Sequence, residues 1–154
     1  MIFTKRADYG LRAALELAAR YGRGSLSAHQ IAEHSELPGP FVKKLLQDLT
    51  AAGIAQSRRG RSGGYSLTDA PERIGLVDVL SAFEELAPVR CLAAYDDEEG
   101  AACVLEEHAT DCPTRAVWQL IDRRVRSALE ALTLADLLGV LEGQGLKLDV
   151  VVHG

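Results

Sequence analysis

The chain has 154 residues, 47% of them hydrophobic and 25% charged, with a mean hydropathy of +0.01. That composition excludes a disordered polyampholyte, and no apolar run reaches the roughly 18 to 20 residues that span a bilayer, so one soluble core with no membrane partner is expected. The net charge of −5 argues against a polyanionic ligand only as an average: up to Thr68 ten Lys/Arg face five Asp/Glu, a local +5, and from Asp69 onward seven face seventeen, a local −10.

Ala7, Leu11, Ala14, Leu15 and Ala18 recur at helical spacing between Lys5 and Tyr21, and Gly22 supplies a stop. Ser27 and Gln30 fit a capping box that opens a short helix carrying Ile31 on its inward face up to about His34. Leu37 precedes Pro38 and is pushed out of the helical region, while Pro40 suits the first turn of a helix through Val42, Leu45, Leu46 and Leu49 to a Gly53 cap. Two short helices joined by a tight turn read as helix-turn-helix. The second displays Lys43, Lys44, Gln47 and Asp48, long or polar side chains able to reach phosphates and base edges in a major groove.

Ile54–Ser57 and Gly64–Leu67 can pair as a hairpin around Arg58, Arg59, Gly60 and Arg61. Such a hairpin is a wing, whose glycines let the backbone approach a phosphate strand and whose arginines can enter a narrow minor groove. A nucleotide phosphate loop is rejected, because no Gly-Lys-Ser/Thr follows. Gly75–Glu85 reads as an amphipathic helix ended by Pro88, and the stretch 89–111, with its acidic run 96–100, reads as a long loop. Thr114–Leu132 then aligns Val117, Leu120, Ile121, Val125, Ala128 and Leu132 on one stripe about 28 Å long. So long a stripe exceeds what this core can cover and predicts packing against a second copy of the chain. Thr133 caps a last helix, 134–142, and the tail at 150–152 adds an edge strand or frays. The expected fold is mostly α: a winged helix-turn-helix domain with a two-strand wing over 1–70, a linker helix and cysteine-containing loop over 71–112, and a long C-terminal dimerisation helix with its tail over 113–154.

The N-terminal MIFTKRADYG lacks an apolar stretch with a small-residue cleavage site, which points to the cytoplasm. Three cysteines in a reducing compartment argue against a disulfide framework. Cys91, Cys103 and Cys112 are spaced C-x11-C-x8-C. Three thiols leave a four-coordinate site one ligand short, and Asp8, His108 and the loop carboxylates are the candidates for the fourth. Taken singly, each also has an ordinary reading: Asp8 as a helix-start acid, His108 as a solvated loop residue, the thiols as small buried hydrophobes. A thiol enzyme pairing Cys91 or Cys112 with His108 would leave the basic wing unexplained and shows no strand-turn-helix nucleophile site, so the chain is not expected to be an enzyme.

FTKRADYGLRAALELA, the run PFVKKLLQDLTAAGIAQSRRGRSGGYSLTDAPERIGLVDVLSAFEE, three cysteines and TLADLL occur in that order. In this the chain resembles the Rrf-type winged-helix transcription regulators, a family with IscR-like and NsrR-like branches, and RGRSGGY after an AGI turn is the most specific part. The resemblance implies a homodimer on double-stranded promoter DNA, with the helix from Pro40 in the major groove and the wing around Arg59 and Gly60 along the minor groove. It further implies that the three cysteines hold a 2Fe-2S or 4Fe-4S cluster. The IscR-like branch has a histidine three residues after the last cysteine, where this chain has Arg115. The NsrR-like branch has an aspartate in the first helix of the other subunit, which Asp8 matches within D-Y-G-L-R; His108 is the alternative ligand. The cysteine intervals are longer than is usual in either branch. The implied function is a repressor that senses nitric oxide, redox or iron status, the alternative being a cluster-free regulator controlled by thiol oxidation or a protein partner.

Overall fold

A computed structural model describes residues 3–60, 63–87 and 112–144. Arg61, Cys91, Cys103, His108, the acidic run 96–100 and the tail 145–154 lie outside the described residues. The order is α1 (Lys5–Ala19), α2 (Ala28–Ser35), α3 (Gly39–Ala51), β1 (Ala55–Arg58), β2 (Gly64–Leu67), a 3-10 turn (Pro71–Arg73), α4 (Leu76–Ser81), α5 (Arg115–Glu130) and α6 (Leu134–Gly143). It is a mostly helical winged helix, as the sequence predicts.

Helices α1 and α2 begin on side-chain caps. Thr4 caps α1 by accepting from the Ala7 N–H. Ser27 and Gln30 close a reciprocal box on α2. Helix α2 ends on Glu36 in the left-handed region at φ 55, its N–H reaching the Ala32 and Glu33 carbonyls. This tight reversal, followed by Leu37-Pro38, turns the chain into α3.

The wing is antiparallel, pairing Ala55 with Leu67, Gln56 with Ser66, Ser57 with Tyr65 and Arg58 with Gly64. Strand β1 begins one residue later than expected; Ile54 just before it is buried, and its carbonyl accepts from the Thr68 N–H in continuation of the same register. Leu26 adds a bridge on the far side of β2, exchanging hydrogen bonds of 2.9 and 2.7 Å with Tyr65. Gly64 makes this approach possible: it has φ +151, and a Cβ there would lie 2.6 Å from the Leu26 carbonyl oxygen.

Helix α4 is shorter than the 75–85 reading. It ends at Ser81, and the Phe83 N–H bonds back to Leu80, a tighter turn that buries Phe83 and Leu86. One cluster gathers Leu17, Ile31, Val42, Leu45, Leu46, Leu49 and Val79 with Leu134 of α6. Bonds from the Leu76 N–H to Leu132 and from the Leu134 N–H to Ile74 tie the α5–α6 junction to the start of α4. Helix α5 has no buried residue, and Val117, Leu120 and Ile121 are 55, 50 and 38% exposed.

Candidate nucleic-acid interface

The apolar side chains of α3 occupy the core at positions 42, 45, 46 and 49, which leaves Pro40, Lys43, Lys44 and Gln47 on its exposed side. Pro40 stands in the first turn, where its missing N–H costs no helical bond. The hairpin that follows α3 presents Arg58 at the end of β1 and then exposed Arg59 and Gly60. Gly60 has φ +119, and its carbonyl accepts from the Gly63 N–H at 2.9 Å, closing a tip too tight for a side chain at position 63, where a Cβ would lie 2.5 Å from the Arg58 carbonyl oxygen. A cationic helix face and a cationic glycine tip can contact major-groove edges and phosphates together.

Asp48 departs from expectation. It does not join the outward polar face: its side chain is 14% exposed and accepts from Arg6 Nη2 of α1 at 2.7 Å, with Lys44 Nζ at 3.4 Å. Burial raises its pKa, but the Arg6 hydrogen bond and charge, joined by Lys44, outweigh burial and hold the carboxyl below its ordinary value. The sequence reading therefore missed Arg6, and a cation at the head of α1 has no periodic signal that could assign it to α3.

Asp8 lies in the first turn of α1, is exposed and pairs with Arg12 at 3.4 Å, and the Arg12 guanidinium sits over the Tyr9 ring. Tyr9 in turn packs edge-on against Phe41 of α3 with centroids 5.8 Å apart. Cys112 lies just before α5, and its thiol is 3.4 Å from the Thr114 hydroxyl. That hydrogen bond, with help from the Thr114 and Arg115 backbone and the Arg115 charge, keeps the thiol below its ordinary pKa. A cysteine sulfur has the soft donor chemistry that iron and zinc take. Among the described residues no three His, Cys, Asp or Glu side chains converge, and no helix is long and apolar enough to cross a membrane.

A helix-turn-helix, a basic hairpin wing and a cationic α3 face define a winged-helix DNA-binding regulator. The Rrf2 family model, described as an iron-dependent transcriptional regulator, matches residues 3–139. A Synechocystis sp. protein described as an HTH-type transcriptional regulator is 38% identical over 138 residues, covering 89% of this chain and 87% of its own. Two solved structures are also similar. The T. potens IscR superposes with TM-score 0.72 at 26% identity, covering 96% of this chain and 93% of its own. CymR, the global cysteine regulator of B. subtilis, superposes with TM-score 0.70 at 30% identity, covering 91% of this chain and 98% of its own. The chain belongs to the Rrf2 family of transcriptional regulators, and membership implies DNA as its partner.

Proposed function

We propose that this chain is a homodimeric, cytoplasmic transcription repressor that senses nitric oxide, redox state or iron supply through an iron-sulfur cluster. Cys91, Cys103 and Cys112 of one protomer would hold the cluster with Asp8 of the partner subunit, or with His108 in place of Asp8. Pro40, Lys43, Lys44, Gln47, Arg58, Arg59, Gly60 and Arg61 would contact DNA. The observation that carries the sensing part is the place of Cys112: it stands at the foot of α5, whose apolar stripe is bare, and within the match to a family described as iron-dependent. A bound cluster supplies iron atoms open to attack by nitric oxide or oxygen species. Asp8 is carried by α1, which packs on the recognition helix through Tyr9 and Phe41. Holding or freeing Asp8 would therefore bias the spacing of the two reading heads, with a coupling of about 1 to 3 kcal/mol between ligand set and operator.

Anaerobic reconstitution with iron and sulfide is expected to give a visible chromophore in the wild type that is lost in Cys103→Ala. A colourless protein with unchanged operator affinity overturns the cluster. A second reading, a cluster-free thiol regulator, is favoured by the likeness to CymR and by the lowered Cys112 thiol. It predicts a metal-free protein whose DNA affinity changes on treatment with a thiol oxidant.

A further inference from the structure

Asp48 stands where α1, the recognition helix and a candidate phosphate-contacting lysine meet. A carboxylate on a helix that faces phosphates is repelled by them, so electrostatics alone would favour its removal. Here it is shielded, 14% exposed, and engaged with two cations from two helices: Arg6 on the first turn of α1 at 2.7 Å and Lys44 one turn earlier on α3 at 3.4 Å. Apolar contact holds α1 and α3 together, with Ala7, Ala14, Val42, Leu45 and Leu49 in one cluster. Apolar packing already sets which face of α3 turns inward, through Val42, Leu45, Leu46 and Leu49. A charge-assisted hydrogen bond adds a fixed point at the outer edge of the helix, because it is short and angular.

We propose that Asp48 is a positioning residue for DNA recognition: through Arg6 it pins the outer edge of α3 to α1, and through Lys44 it aims the lysine ammonium group. Pro40, Lys43 and Gln47, on the same helix, are thereby presented in one register. Asp48 touches no DNA in this scheme, and Arg6 acts through it.

The test uses the full chain and a duplex selected by the wild type from a randomised pool, with poly(dI-dC) as the non-specific probe. Asp48→Asn is expected to bind the selected duplex about three- to tenfold more weakly. Its binding to poly(dI-dC) is unchanged or tighter, because a negative charge is gone. Arg6→Gln should show a selective loss of the same kind, and the double variant no more than Asp48→Asn alone, since Arg6 acts through Asp48. Selected-duplex binding that is unchanged or tighter in Asp48→Asn overturns the proposal. So do losses that multiply in the double variant, or losses equal on both probes. Should Asp48→Asn not fold, Arg6→Gln, with its side chain 46% exposed, carries the same comparison: selective loss supports the tie, and equal loss on both probes makes Arg6 a phosphate contact and overturns it. A wild type that selects no duplex overturns both this inference and DNA recognition itself.

Discussion

Gly10 sits inside α1, where glycine is a poor helix former, and the reason is Phe83: a Cβ at position 10 would lie 2.1 Å from the Phe83 ring. The ring is buried against the helix backbone just after α4. Gly10→Ala should therefore cost about 1 to 3 kcal/mol through overpacking, against the gain that alanine normally brings to a helix. Urea unfolding would read it, and Phe83→Leu in the Gly10→Ala background should recover part of the loss. An unchanged midpoint would show that the ring yields freely. Nothing in the sequence pairs position 10 with position 83, because each falls in its own helical pattern. The Arg6–Asp48 link was hidden for the same reason: local periodicity assigns a residue to a face of its element and says nothing of which other element meets that face.

Helix ends were far more legible. Thr133 caps α6 through the Asp136 N–H, and the Asp136 carboxylate accepts in return from the Thr133 N–H at 2.8 Å and from its hydroxyl at 2.7 Å. The Thr133 hydroxyl and N–H hold the Asp136 carboxyl below its ordinary 3.8. A folded-state pKa below the unfolded one contributes stability that is complete above 3.8 and lost as pH falls through the lower folded value. The gap in urea midpoint between wild type and Asp136→Asn should accordingly be full at neutral pH and narrow below 3.8. A gap that is constant with pH would mean that charge plays no part in the cap.

The stripe on α5 was equally readable, because a helix long enough to outrun its core announces unburied apolar positions. If a second copy covers it, Leu120→Glu, at a position 50% exposed in the single chain, should turn a dimer into a monomer by light scattering while leaving the unfolding of the core little changed. Wild-type protein that is already monomeric would refute this packing.

Across the whole molecule the charge partition matches the architecture: the +5 lies in the segment up to Thr68 that forms α1 to β2, and the −10 lies beyond it. Binding carried by this basic head should weaken linearly with the logarithm of salt, and Arg59→Ala should lower the slope by about 0.9, the loss of one phosphate contact. An unaltered slope would take Arg59 off the phosphates.

The placement of the helices, the Ser27 and Thr133 caps, the turn before α3, the hairpin and the bare stripe follow from the sequence itself, since each is set by residues within a few positions of one another. Tertiary structure alone decided that Leu134 closes the same core as α1 to α4, that Leu26 edges the wing, and that Asp48 turns from the exposed side of α3 to Arg6. Those choices depend on which surfaces meet after folding. There a partly buried carboxylate gains from a nearby cation and a buried backbone group must find a hydrogen bond, and the partner that serves is fixed by proximity in space.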